Sequence, residues 1–177
     1  ASMEGRVLSW GELDRASNRT ARALAELGVE CGDRIVSWCD TALEVLPLFA
    51  AAAKLGAVFA PLNARLGVGE ATDVIGMARP ELIVADAERA EGAGVAAKSA
   101  GVPKLARLGG SGPGVDLIAA ASAQDAAPFA EPRLRETDPH VIFFTSGSTG
   151  KSKGVVLSHR ANYLRGFQGV FRDVPEI

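Results

Sequence analysis

The chain has 177 residues, of which 47% are hydrophobic and 23% charged, with a formal net charge of −2. A chain of that size and composition buries a sizeable core without disulfide or metal support, as one large domain or one and a half small ones. Lys and Arg are scattered along it, not gathered into a stripe, so charge gives no basis for binding nucleic acid or an anionic membrane surface.

Two cysteines, Cys31 and Cys39, have no second pair and no histidine nearby. That is neither a disulfide framework nor a zinc site, and it suits a reducing compartment. Cys39 sits in an apolar run and reads as a small core residue. The longest apolar stretch, Val45 to Ala53, contains Pro47 and ends at Lys54. It is far shorter than the ~20 residues that span a bilayer. No apolar targeting segment opens the sequence. The expectation is a soluble, cytoplasmic protein.

Ser9 and Glu12 form a capping box that starts a helix. Leu13, Ala16, Thr20, Leu24 and Leu27 then give it one apolar face, and Gly28 offers a left-handed stop. Gly32-Asp33 is a turn, and Ile35 to Cys39 a short buried strand. Thr41 with Glu44 suggests a second capping box, leading into a helix that reaches Leu55 and stops at Gly56. Pro47 is awkward inside that helix, and a start near Leu46 would place it in the first turn. A strand over Val58 to Ala60, a helix over Gly69 to Ala78 and a strand over Leu82 to Ala85 continue the rhythm. A helix over Ala87 to Ala100 and a strand over Lys104 to Leu108 follow. Strands starting at 35, 58, 82 and 104, with helices between, predict right-handed βαβ units and a mostly parallel sheet flanked by helices.

From Gly109 to Asp138 the chain is rich in Gly, Ala, Pro and Asp, with order expected only over Val115 to Ala121. The expected organisation is a βαβ region over 1–108, a connector over 109–138, and a strand, loop, strand and helix over 139–177. Val141 to Phe144 is a compact buried strand, Val155 to Leu157 a second apolar run, and Ser158 caps a helix over Arg160 to Phe171.

Between those runs lies TSGSTGKSKG, Thr145 to Gly154, with five hydroxyls, three glycines and two lysines and nothing apolar. Each residue type suits the grip on a polyphosphate. Gly147, Gly150 and Gly154 permit positive φ and close backbone approach to an anion. Successive N–H groups in such a loop converge on an anion-binding concavity. Thr145, Ser146, Ser148 and Thr149 offer hydroxyls, and Lys151 and Lys153 carry charge on flexible stems. A plain hairpin turn uses similar residues but runs 2–5 residues, about half this length. Gly150-Lys151-Ser152 matches the end of a Walker A motif, yet Thr145 stands where that motif needs glycine, and a strand follows instead of a helix.

The segment FTSGSTGKSKGV, Phe144 to Val155, resembles the signature of the adenylate-forming, AMP-binding superfamily of acyl-CoA synthetases, luciferases and peptide-synthetase adenylation domains. It departs at Ser152, where the family usually has proline, and loses no phosphate-binding group there. LSWGEL with Asn18, GDRI from Gly32, KLGA from Lys54, and PLN with Arg65-Leu66 resemble other family stretches. Asn63 is more similar to acyl- and aryl-CoA ligases than to peptide-synthetase domains. The resemblance covers most of the chain and is most like a fatty-acid–CoA ligase.

It implies part of a large N-terminal α/β domain, with ATP and magnesium as cofactors and coenzyme A and a fatty or aryl acid as substrates. The implied reaction forms an acyl-adenylate with release of pyrophosphate and then passes the acyl group to coenzyme A. By the same resemblance, the adenine site, the magnesium glutamate, the hinge and the adenylation lysine would lie beyond Ile177. No catalytic or metal residue is therefore assignable here, and the segment is expected to be inactive alone. A peptide-synthetase-type domain loading a carrier protein and a non-catalytic nucleotide-binding module remain open.

Outside the loop, His140 beside Pro139 is expected to be exposed and His159 to cap or line the surface. Asp33 and Asp138 read as turn residues, and Trp10 and Trp38 as core or helix-packing residues. Arg15, Arg19, Arg22 and Glu26 read as a solvated helix face.

Overall fold

The fold comes from a computed structural model that describes residues 2–3, 5–130, 132–145 and 152–172, with backbone only at residue 2 and over 167–172. Strands β1 (Ser2–Met3) and β2 (Arg6–Val7) pair as a short antiparallel ribbon. Then α1 (Trp10–Glu26), β3 (Arg34–Trp38), α2 (Val45–Leu55), β4 (Val58–Pro61), α3 (Val68–Ala78), β5 (Leu82–Asp86), α4 (Ala90–Ala100) and β6 (Lys104–Leu108) alternate. They are followed by β7 (Val115–Asp116), α5 (Leu117–Ser122), β8 (Pro139–Thr145), β9 (Lys153–Ser158) and α6 (His159–Arg172). Among the described residues seven strands form one sheet in the order β7-β6-β5-β3-β4-β8-β9. Every pair in it is parallel except β8 with β9. The α/β class and mostly parallel sheet expected from the strand spacing are therefore present.

Successive strand residues point to opposite faces, and both faces must be covered in a parallel sheet. Strand β5 shows this directly: Leu82 and Val84 join the core cluster containing Leu24 and Leu48, while Ile83 and Ala85 join the cluster containing Val74 and Ile75. Helices α1, α2 and α5 supply the first core, and α3 and α4 the second. Phe49 of α2 meets Phe59 of β4 edge-on, with ring centroids 5.3 Å apart.

Local signals start and stop these helices. Ser9 Oγ accepts from the Glu12 amide at 3.3 Å, and the Glu12 carboxylate accepts from the Ser9 amide at 2.8 Å, closing the capping box. The second expected box does not form. Helix α2 begins at Val45 after Glu44, without a side-chain cap, and Pro47 falls in its first turn. It ends at Gly56, whose φ of 76° is left-handed. A side chain there would also lie 2.7 Å from Cys31 Sγ and Leu134 Cδ2, so only glycine fits.

Three further sequence expectations are corrected. Trp10 is 85% exposed, because it is the first residue of α1, ahead of that helix's buried face; Trp38 is buried as expected. Of the expected solvated face, Arg15 and Glu26 are exposed, but Arg19 and Arg22 are half-buried and reach across to the following segment. Arg19 Nη1 donates to the Ser122 carbonyl at 3.1 Å, and Arg22 donates to the carbonyls of Asp125, Ala127 and Pro128 at 2.8–3.1 Å. Glu26 accepts from Gln124 Nε2 at 2.7 Å. Buried Asn18 anchors the same segment: its Nδ2 donates to the Ala126 carbonyl, and its Oδ1 accepts from the Phe129 amide and from Lys54 Nζ. Lys54 also pairs with Asp14 at 2.6 Å, tying α2 to α1. Helix α1 thus carries the chain from α5 back towards β8.

The third correction is His140. It is 7% exposed, because it is the extra residue of a β-bulge: Pro139 faces Ser158 and Val141 faces Leu157, leaving His140 without a partner on β9. Its ring lies 5.1 Å from Phe49 and stacks on His159 of α6, with centroids 4.3 Å apart and planes 7° from parallel. Asn162 Nδ2 donates to His140 Nδ1 at 3.2 Å, which leaves the imidazole proton on Nε2, a buried atom without a partner among the described residues. Burial first, and the neighbouring His159 second, push the His140 pKa down to about 4.

Two consequences can be measured. Asn18→Ala strands the Phe129 amide and the Ala126 carbonyl and takes one acceptor from Lys54, and should cost about 2–3 kcal/mol in urea unfolding; Ser9→Ala should cost about 1 kcal/mol. A loss below ~0.5 kcal/mol for Asn18→Ala would remove it from the role of anchor. The second concerns pH. Between pH 6.5 and about 4, His140 is neutral in the folded chain and protonated in the unfolded one. Its contribution is therefore intact above pH 6.5 and is lost progressively on acidification towards pH 4, on the order of 2 kcal/mol in all. Urea midpoints across that window should fall less steeply for His140→Phe than for the wild type. Parallel profiles would refute the assignment.

Candidate active site

The carboxyl ends of the parallel strands form one edge of the sheet, and the chain leaves that edge in diverging directions. Strand β3 runs into α2 on one face, whereas β4 runs into α3 on the other. Such a divergence opens a crevice at the strand ends. Here it is a cavity of about 460 Å³ lined by Ser37, Cys39, Asp40, Leu62, Asn63 and Arg65, among others. Arg89 braces this edge. Its Nε donates to the Ala64 carbonyl after β4 at 2.8 Å, and its Nη1 donates to Asp86 at the end of β5 at 2.6 Å. Asp86 in turn accepts from the Asp40 amide after β3 at 2.7 Å. One guanidinium therefore ties three strand ends together. Cys39 is not a fully buried core residue. It borders the cavity, its Sγ donates weakly to the Val84 carbonyl at 3.6 Å, and burial pushes its thiol up to about 12. A thiol so placed is not a nucleophile at neutral pH.

Strand β8 runs parallel to β4, so it too ends on this edge. There Thr145 faces Lys153 across the antiparallel β8–β9 pair, and Phe144 faces Gly154. The structure thus brings together Thr145, Lys153 and Gly154 of the predicted site. Thr145 and Lys153 are exposed, and Lys153 forms no ion pair with any described residue. Ser146, Gly147, Ser148, Thr149, Gly150 and Lys151 lie outside the described residues. Gly154 is corrected in its reason, since it does not adopt a positive φ. A side chain there would come within 3.2 Å of Ile142 Cγ2, so glycine serves close packing between the strands.

The N-terminus of α6 is closed to an anion. Its first amides are taken by the chain before β8: His159 N–H donates to the Asp138 carbonyl at 3.1 Å and Arg160 N–H to the Glu136 carbonyl at 2.8 Å. Ser158 Oγ accepts from the Ala161 amide at 3.2 Å, as the capping expectation required. His159 is not the cap, which is Ser158; it is half-buried, stacked on His140 with a buried Nε2. Asp138 is the expected turn residue; hydrogen bonds led by the Arg135 amide hold its carboxyl below the usual range. The Asp40–Asp86–Arg89 brace had no sequence signal beyond an aspartate at a strand end, followed three residues later by an arginine.

No helix among the described residues is long and apolar enough to cross a membrane. The chain is 31% identical over 189 residues to a crotonobetaine/carnitine–CoA ligase of Salmonella paratyphi A, covering 97% of this chain and 36% of that one. It is 36% identical over 155 residues to a feruloyl-CoA synthase of an Amycolatopsis species, covering 88% of this chain and 29% of that one. The crystal structure of apo MatB from Rhodopseudomonas palustris superposes with a TM-score of 0.82 at 30% identity, over 97% of this chain and 34% of that one. The chain thus spans about a third of the length of these relatives. The family profile described as AMP-binding enzyme matches residues 1–175, and the chain belongs to that family.

Proposed function

We propose that these residues supply the ATP phosphate-binding portion of an acid–thiol ligase that activates a fatty or aryl carboxylic acid. The observation that carries this reading is the β8–β9 pair, which sets Thr145 opposite Lys153 on the carboxyl edge of the sheet, near the two ends of the TSGSTGKSKG run. The names of the relatives, CoA ligases and synthases, support coenzyme A as the acceptor.

In the proposed reaction a carboxylate oxygen attacks the α-phosphorus of ATP, and the bond from that phosphorus to the β-bridging oxygen breaks. Pyrophosphate departs and the acyl-adenylate remains. The sulfur of coenzyme A then attacks the acyl carbonyl, AMP leaves, and a thioester forms. Thr145 and Lys153 act in the first step by holding the β- and γ-phosphates in line and neutralising charge that grows on the leaving pyrophosphate. Lys153 suits this as a compact ammonium on a flexible stem, able to follow the leaving group. Among the described residues no cluster of three or more His, Cys, Asp or Glu could hold a metal ion. The magnesium that accompanies ATP is expected, by the family resemblance, to take its protein ligand from outside this segment, and no step is routed through it. By this reading the 177 residues alone do not complete the reaction.

The test is carboxylate-dependent exchange of labelled pyrophosphate into ATP, with the longest polypeptide the gene encodes and a panel of fatty and aryl acids. Exchange should require an acid and fall roughly 10²-fold in Lys153→Ala, with partial recovery in Lys153→Arg. Gly150→Pro should abolish it. Exchange that is absent with every acid, or untouched by Lys153→Ala, would defeat the proposal.

A further inference from the structure

We propose that His140 is a positioning residue for the phosphate-binding hairpin: it holds β8, β9 and α6 on the body of the fold through a column of aromatic rings and so sets where Thr145 and Lys153 stand. The hairpin's part in phosphate binding is taken from the ligase reading above. In backbone terms this unit is lightly attached. Among the described residues β8 pairs with β4 at Phe59–Val141 alone, whereas β3 pairs with β4 over four residues and β5 with β6 over five. Strand β9 reaches the sheet through β8. The first amides of α6 and the Arg160 side chain are bound to residues 136 and 138, in the turn just ahead of β8.

Side chains supply what the backbone does not. Phe59, the β4 residue that pairs with Val141, is met edge-on by Phe49 of α2. Phe49 lies 5.1 Å from the His140 ring, which stacks on His159 with centroids 4.3 Å apart. Four rings thus run from β4 through α2 and β8 to α6, beginning at the one β4–β8 pair. Backbone pairing cannot place His140, because a bulge residue has no partner across the ladder. Ring contact on both sides does so. The imidazole also offers an acceptor that a phenylalanine lacks: Nδ1 takes the Asn162 amide, three residues along α6 from His159. The ring is therefore fixed to α6 at two points. Its Nε2 stays buried without a partner among the described residues, a cost that filling space alone does not require.

The column acts on the site through the strand. Thr145 is five residues along β8 from His140, roughly 17 Å away, and Lys153 faces it across the ladder. A tilt of about 5° at the base of such a strand moves its far end by about 1.5 Å. Displacements of that size matter where phosphates must be held in line with an attacking carboxylate. The ring at residue 140 is thus remote from any bound phosphate and still decides where the hydroxyl and the ammonium meet it.

The test compares His140→Ala and His140→Phe in the longest polypeptide the gene encodes. Amide hydrogen exchange is followed by mass spectrometry over 139–145 and 153–158, with 82–86 of β5 as the internal reference. Without the ring, exchange in both hairpin strands should quicken on the order of 10²-fold while β5 keeps its rate, and phenylalanine should restore most of the protection. Pyrophosphate exchange gives the second readout. The KM for ATP should rise roughly tenfold in His140→Ala, with the KM for the acid unchanged, and fall back in His140→Phe. A smaller folded fraction lowers kcat and leaves the KM for ATP alone, so a merely structural role does not imitate this pattern. An unchanged KM for ATP in His140→Ala, a quickening shared by β5, or phenylalanine no better than alanine would overturn the proposal. If His140→Ala does not fold, His159→Ala, which removes only the outer ring, takes its place with the same expectations. A wild type that exchanges pyrophosphate with no acid defeats the ligase reading alone, and hydrogen exchange still decides whether His140 holds the hairpin.

Discussion

A strand in the middle of a parallel sheet must satisfy two cores at once, and the rest of this molecule follows from that. Strands β3 and β5 do it with consecutive apolar residues, Ile35-Val36 and Leu82 to Ala85, shared alternately between the two core clusters. Because both faces are occupied by helices, the strand ends are where polar chemistry can be placed. The carboxyl edge is kept in register by Arg89, which reaches the ends of three strands through Ala64, Asp86 and the Asp40 amide. A single guanidinium can do this because its donors fan out in one plane and are matched by acceptors of fixed position. Part-burial of Arg89 at this edge favours those bonds over hydration.

Much of the fold was legible in the sequence, because it is written in local signals. The Ser9–Glu12 box, the left-handed stop at Gly56 and the apolar runs from 82 and 104 each depend on residues within a turn or two of one another. What was missed depends on partners distant in the chain. Arg19 and Arg22 look solvated on a helical wheel, and their acceptors are main-chain carbonyls at 122–128 that no side-chain pattern reveals. His140 looks exposed beside Pro139, because a bulge has no local mark other than an odd count between paired strands. Thr41 and Glu44 matched a capping pattern that Pro47 and the chain direction after β3 overrode.

The candidate site divides in the same way. The hydroxyl-, glycine- and lysine-rich run stands out in the sequence by its residue types alone, and its assignment to a polyphosphate is the proposal made above. Its position on the carboxyl edge was not legible, since that follows from β8 entering beside β4 after the chain has built β5, β6 and β7 on the far side of β3. The cavity lined by Asp40, Asn63 and Arg65 likewise exists only because β3 and β4 send their helices to opposite faces.

The bulge at His140 makes the hairpin a counted structure. Strand side chains alternate with a period of two, so a register shift of one residue turns every side chain to the other face. With His140 looped out, Val141, Ile142 and Phe143 face Leu157, Val156 and Val155, and the count ends with Thr145 opposite Lys153. Loss of one residue at the bulge would regularise the strand and turn Val141 and Ile142 away from their cores. A change of chain length five residues upstream of Thr145 would thus be felt as a rotation at the site, while changes between Thr145 and Lys153 leave the count below them intact. In such a hairpin the base has to keep its number of residues.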